Sequence, residues 1–197
     1  MSLQKMEKEI VELKKYVVDK PGKYLHVGCG YKIIEGFTNI DKYQKHKSIV
    51  NYDMFDIQMA NNSVDGIYSS HSLEHLPIRQ AKQAIANWSR LLRIGGWLVL
   101  AIPDLEEIMR LLLSSDVPEE HKEHWYLYTL FGYQVDSEVS LNDRRLDIEI
   151  DQGQFHTCGF TEKSIKKLLT ENNFKIVEFF KYDGYRTPSM FIKATRI

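Results

Sequence analysis

Three groups of residues in this chain have types and spacings that suit chemistry. The first is Gly28-Cys29-Gly30, which ends the apolar run Tyr24-Leu25-His26-Val27. Glycine reaches positive φ without strain, and it leaves no Cβ to hold a bound molecule away. The second group is a series of acids. Asp41 closes the segment Gly36-Phe37-Thr38-Asn39-Ile40, Asp53 opens Asp53-Met54-Phe55-Asp56, and Asp104 follows Pro103. An acid at a strand tip beyond a glycine turn suits two ribose hydroxyls. A dinucleotide site would need a third glycine, a full crossover helix and an acid about 20 residues on. Tyr31-Lys32-Ile33 supplies neither glycine nor helix, and Asp41 comes only eleven residues after Gly30. A nucleoside without a pyrophosphate therefore fits better than NAD. The third group is histidine: His71 and His75 flank Glu74, and His156 lies far downstream. Histidines four apart share a helix face, but the H-E-x-x-H pattern needs the glutamate directly after the first histidine. With no third ligand apparent, no metal is expected there. His121 and His124, among Glu119, Glu120 and Glu123, read as an exposed helix face.

These residues need elements to hold them. Lys23 to Val27 reads as a buried strand, Gly36 to Asp41 as a turn and second strand, and Ser48-Ile49-Val50 as a brief third. Val64 to Ser69 is a fourth strand. Pro77 suits a first helical turn, and that helix runs to about Arg93. Ala81, Ala84, Ile85, Trp88, Leu91 and Leu92 form its buried side, and Gly95-Gly96 stops it. Trp97 to Ile102 is a fifth strand, ending at Pro103-Asp104. Helical pattern follows to Leu113, and Pro118 opens another helical stretch to about Leu130. Thr161 caps a helix through Leu169 that Asn172-Asn173 releases. Phe174 to Phe180 and Met190 to Thr195 are final strands, paired antiparallel across Tyr182-Asp183-Gly184. The class is α/β with a doubly wound sheet, and ligands of such sheets bind outside the carboxyl ends of the strands. Gly28, Asp41, His71 and Asp104 all fall at that edge.

Two segments stand outside this alternation. Leu3, Met6, Ile10, Leu13 and Val17 recur at helical steps, so residues 1–20 read as an amphipathic helix. It caps the domain, closes over a cofactor or joins a second copy as a homodimer. Residues 132–158 are polar, glycine-punctuated and long for a compact domain. Trp125, Tyr126, Tyr128, Phe131, Tyr133, Phe155 and His156 supply aromatic faces. Residues 114–158 are therefore expected to be a substrate-recognition insertion over the sheet edge, suited to a small, possibly sugar-like molecule.

Composition narrows the field. The chain has 197 residues, 43% hydrophobic, with a net charge of −1, which fits one filled domain over 1–197. No global field draws it to nucleic acid. Cys29 and Cys158 give no disulfide framework, which points to a reducing cytoplasm. The start lacks an apolar signal core, and no run approaches the ~18 apolar residues of a membrane span.

Five blocks then carry a family resemblance: Leu25-His26-Val27-Gly28-Cys29-Gly30, Gly36-Phe37-Thr38-Asn39-Ile40-Asp41, Asn62-Ser63-Val64-Asp65-Gly66-Ile67, Ser70-His71-Ser72-Leu73-Glu74-His75-Leu76 and Arg90-Leu91-Leu92-Arg93-Ile94-Gly95-Gly96-Trp97-Leu98. In this order they resemble class I S-adenosylmethionine-dependent methyltransferases. Within that family the chain is most similar to small proteins associated with bacterial surface-polysaccharide and sugar modification.

The resemblance implies a Rossmann-like, seven-stranded methyltransferase sheet whose last strand inserts antiparallel. S-adenosyl-L-methionine is the implied cofactor. It would lie on Gly28, Cys29 and Gly30, with Asp41 at the ribose and Lys42 over it. Asp53 would take the adenine amino group, with Asp56 as the alternative if a bulge shifts the loop, and Met54 would pack on the ring. Ser70 and His71 would lie beside the methionine part, and His75 would be a packed, hydrogen-bonded helix residue. The implied reaction is methyl transfer to a small polar acceptor, foremost a hydroxyl of a sugar or polysaccharide precursor. The base candidates are His156, His71 and Asp104, in that order. His26 departs from the acid or amide that the family usually carries there. That departure motivates the alternative of a non-catalytic cofactor-binding module acting as partner subunit or sensor. Aminopropyl transfer lacks the paired acids that an amine acceptor needs where Ser69-Ser70-His71 stands.

Overall fold

The computed structural model describes residues 21–132, 155–183 and 187–197. The expected helix over 1–20 and the central part of the 114–158 insertion lie outside the described residues.

The chain starts with β1 (Tyr24–Val27), β2 (Phe37–Ile40), β3 (Ile49–Val50) and β4 (Val64–Ser70). It continues through a single 3₁₀ turn at Leu73–His75, α1 (Ile78–Leu91), β5 (Leu92–Pro103) and α2 (Leu105–Leu113). Then come α3 (Glu119–His121), a π-helical stretch at Lys122–Leu127 and α4 (Tyr128–Phe131). The chain ends with α5 (Glu162–Glu171), β6 (Phe174–Asp183) and β7 (Pro188–Arg196). The seven strands form one sheet in the order β3-β2-β1-β4-β5-β7-β6. The first five run parallel, and β7 is antiparallel to both β5 and β6. This is the expected doubly wound sheet with an inserted antiparallel last strand.

The inner parallel strands are largely apolar because both of their faces are covered. Leu25, Val27, Ile40, Ile67, Leu98, Leu100 and Ile102 join α1 and α5 in one buried core. Ala81, Ala84, Ile85, Trp88 and Leu91 give α1 an inward stripe at helical spacing. Trp88 has no exposed surface. Its indole N–H also donates to the Met54 carbonyl at 2.7 Å, which fixes the loop after β3. Arg90 on the same helix donates to the Met59 and Ile57 carbonyls at 2.8 and 3.0 Å. Helix α1 thus shapes the loop that carries Asp53 and Met54.

The end of α1 differs from expectation. Gly95-Gly96 do not stop the helix; it ends at Leu91, and extended backbone begins at once at Leu92 (φ −66°, ψ 138°). The glycines lie inside β5, where pairing with β4 jumps from Val64↔Leu92 to Gly66↔Trp97. Gly95 takes φ +79°, and a Cβ on Gly96 would lie 2.8 Å from the Arg93 carbonyl oxygen. The pair therefore makes a strand bulge. Among the described residues, no helix is long and apolar enough to cross a membrane.

Candidate functional site

A cleft of about 720 Å³ opens at the carboxyl ends of the parallel strands. That volume is in the range of small-molecule sites. The turn after β1 forms its floor. Gly28 and Gly30 have φ of +68° and +52°. A Cβ on Gly28 would lie 2.3 Å from Ser72 Cβ, whereas one on Gly30 would meet nothing within 4 Å. Cys29 is buried, and burial together with the neighbouring Asp41 carboxylate pushes its thiol up to about 12. It stays protonated and serves as a small packing residue, not a nucleophile.

Asp41, at the tip of β2, folds the next loop around itself. Its Oδ1 accepts from the Tyr43 and Gln44 amides at 2.8 and 3.1 Å, and its Oδ2 accepts from Gly30 N at 2.9 Å. A carboxylate offers about four lone-pair directions, so Oδ2 keeps capacity for a hydroxyl. Lys42 Nζ lies 3.0 Å from Asp53 Oδ1, which ties the two sides of the cleft mouth together. Met54 lines the wall, and Asp56 Oδ1 instead accepts from the Gln58 side chain at 2.5 Å. Asp56 is not among the lining residues, so the cleft favours Asp53 over that alternative.

The tip of β4 forms the other half. Ser69 and Ser72 hydroxyls are 2.6 Å apart and buried, and Ser70 and His71 line the cleft. His71 sits at φ +49°, its amide donating to the Ala101 carbonyl at 2.9 Å. Its Nδ1 is 3.4 Å from Glu74 Oε1, and its Nε2 is 3.5 Å from Ser189 Oγ. His26, also on the wall, stacks on Tyr68 with centroids 5.1 Å apart, and its Nδ1 is 3.1 Å from Asn39 Oδ1. Burial lowers the His26 imidazole to about 4, so it is neutral.

The three base candidates part company. Only His71 lines the cleft. Asp104 is buried away from it as the N-cap of α2, its Oδ1 accepting from Glu107 N at 3.3 Å and its Oδ2 lying 2.9 Å from Lys181 Nζ. His156 sits behind the wall, Nδ1 on the Thr129 carbonyl and Nε2 3.9 Å from Glu74 Oε1. His75 belongs to the 3₁₀ turn, not to a helix, and does line the cleft. The ends of the expected insertion meet at this side: Gly132 bridges Phe155, and the Thr157 and Cys158 amides donate to the Glu74 carbonyl at 2.9 and 3.2 Å.

Sequence reasoning missed Glu74 as a buried charge. It is 1% exposed. Burial alone would raise its carboxyl, but wherever the neighbouring histidines carry charge, His71 foremost, they outweigh that and hold it below the usual carboxylate range. Its place between two histidines was the available signal. A second depression of about 250 Å³, near Asn62, Asn173 and Arg196, lies at the opposite end of the strands.

The chain is similar to known proteins in sequence over one stretch and in fold over nearly its whole length. Residues 29–100 match a family model described as a methyltransferase domain. The fold is that of a class I methyltransferase. A SAM-dependent methyltransferase from Methanosarcina mazei superposes with a TM-score of 0.65 at 17% identity, covering 94% of this chain and 97% of that one. The magnesium protoporphyrin IX methyltransferase of Synechocystis PCC 6803 gives 0.60 at 14%, covering 98% and 83%. The 1,6-didemethyltoxoflavin-N1-methyltransferase of Burkholderia thailandensis gives 0.58 at 15%, covering 94% and 75%. A search of the curated proteins finds no match. The Synechocystis enzyme was solved with bound S-adenosylmethionine and the Burkholderia one with S-adenosylhomocysteine. In this chain the Gly30 Cβ direction is open, Asp41 Oδ2 retains acceptor capacity, and the cleft volume of about 720 Å³ leaves room for a nucleoside with an amino-acid tail.

Proposed function

We propose that this chain is an S-adenosylmethionine-dependent methyltransferase acting on a small polar acceptor, foremost a hydroxyl of a sugar or polysaccharide precursor. One observation carries the reading. Gly28, Cys29, Gly30, Asp41, Lys42, Asp53, Met54, Ser70 and His71 come from four separate segments, yet all line the same cleft. The structural neighbours whose names state a substrate are methyltransferases for a porphyrin and a toxoflavin precursor, so the sugar rests on the sequence resemblance and on the polar, aromatic wall.

The bound cofactor would supply an activated methyl group. The chain's part is to align the acceptor, exclude water and take a proton. Asp41 would hold the ribose hydroxyls and Asp53 the adenine amino group, with Met54 against the base. His71 is the base candidate that reaches the cleft. His156 and Asp104 drop out of that role, since neither lines the cleft.

Calorimetry with S-adenosylmethionine and with NAD tests the cofactor, and tighter binding of NAD would overturn the reading. Asp41→Ala should weaken S-adenosylmethionine by roughly 1.5–3 kcal/mol, the scale of hydrogen bonds to a charged group. Incubation with labelled cofactor and sugar precursors tests the acceptor: label recovered only in non-carbohydrate molecules would remove the sugar.

A further inference from the structure

Behind the His71 wall lies a cluster that methyl transfer does not explain. The Glu74 side chain is almost wholly buried, and neither carboxylate oxygen has a hydrogen-bond donor. The nearest ring nitrogens are His71 Nδ1 at 3.4 Å and His156 Nε2 at 3.9 Å. A buried carboxylate without a partner is costly, so something positive belongs beside it.

The neighbouring histidines narrow what that is. His156 Nδ1 is hydrogen-bonded to the Thr129 carbonyl, and His75 Nδ1 lies 3.1 Å from the Phe155 carbonyl. A carbonyl oxygen only accepts, so in both rings Nδ1 carries the proton. In the neutral imidazole Nε2 then bears a lone pair. His156 Nε2 thus turns a lone pair towards the Glu74 carboxylate at 3.9 Å, and His75 completes a group of three possible ligands. Tethering one ring nitrogen to a backbone carbonyl is also the usual outer support of a metal-binding histidine.

We propose that Glu74, His75 and His156 form a site for one divalent transition-metal ion of the zinc class. Their ligand atoms lie within 4.8 Å of one another. A tetrahedral ion with bonds of ~2.0–2.1 Å holds its donors about 3.3 Å apart, so the side chains must close by about 1.5 Å, a small χ rotation. Two imidazoles and a carboxylate suit zinc and its transition-metal neighbours, not magnesium or calcium. The sequence concealed the set because its third ligand is 81 residues from His75. The Thr157 and Cys158 amides bring it there by docking on Glu74's own carbonyl. The site adjoins the cleft through His75, and it stands whether or not the chain transfers methyl groups.

The test uses the full chain, stripped with a chelator and titrated with Zn²⁺ in a calorimeter. One ion per chain is expected, with Mg²⁺ giving no heat. His156→Ala and the half-exposed His75→Gln should each lower affinity by more than the ~10–100-fold typical of losing an outer-shell partner. His121→Ala, on an exposed helix, is the control and should change nothing. Co²⁺ should give the intense visible bands of a four-coordinate site, and His156→Ala should abolish them while circular dichroism stays native. Failure to take up a stoichiometric ion would overturn the proposal, as would uptake that survives both histidine variants. So would imidazole nitrogen NMR of the chain with Zn²⁺ present in excess showing protonated Nε2 at His75 or His156, because a proton would then be the missing positive charge. None of these readouts uses methyl transfer.

Discussion

Gly28 and Gly30 are the same residue type under two different demands. Both sit in the left-handed region, which costs a side-chain-bearing residue about 1–2 kcal/mol. Only Gly28 also lacks room, with Ser72 against its missing Cβ. Gly28→Ala should therefore cost more stability than Gly30→Ala, by about 1–3 kcal/mol, the scale of overpacking. The order reverses for binding: Gly30→Ala puts a methyl group into the open cleft and should weaken S-adenosylmethionine more than its stability loss explains. Urea unfolding and calorimetry on the two variants check this, and equal stability losses would remove the Ser72 argument. The glycines and Asp41 were legible in the sequence because strand, turn and acid are local patterns. Glu74 was not, since its burial depends on residues 156–158 returning from far along the chain.

At the scale of elements, the α1 stripe followed from helical spacing and the antiparallel pairing of the last strands from the turn at Tyr182-Asp183-Gly184, while the insertion of the last strand came from the family resemblance. The role of the Gly95-Gly96 pair did not follow, because glycine ends helices and makes strand bulges alike, and only the facing residues, Gly66 and Trp97, decide between them. Asp104 is a similar case. Its place at a strand tip suggested chemistry, but the residues after it form α2, and an aspartate there caps the helix. Lys181, from β6, closes on its other oxygen. Asp104→Ala should thus lower stability by about 1–2 kcal/mol, mostly from the lost cap, since the half-exposed lysine adds little. It should leave turnover of the cofactor unchanged. A general base would instead cost ~10²–10⁴-fold in rate, and a loss of that size with native stability would return Asp104 to the chemistry.

For the molecule as a whole, one part of the response to acid passes through His26. This histidine lies in the inner strand β1, 2% exposed, against Tyr68 and Asn39. Burial is the main cause that lowers its imidazole from 6.5 to about 4, with Lys32 adding to it and Asn39 partly opposing it. Between those two values the unfolded chain binds a proton that the folded chain refuses. Stability therefore falls as pH drops from about 6.5 towards 4, and this group contributes no further change below that. The full effect is roughly 3 kcal/mol, which is a large share of a domain's typical 5–15 kcal/mol. His26→Gln removes the titration while keeping a polar side chain near Asn39. Urea midpoints for both proteins at pH 7, 5.5 and 4.5 read the difference. The parent should lose more stability than the variant on acidification, with the gap opening below pH 6.5. Parallel pH curves for the two proteins would mean that the folded chain protonates His26 freely, and that the wall of the cleft is wetter than its packing indicates.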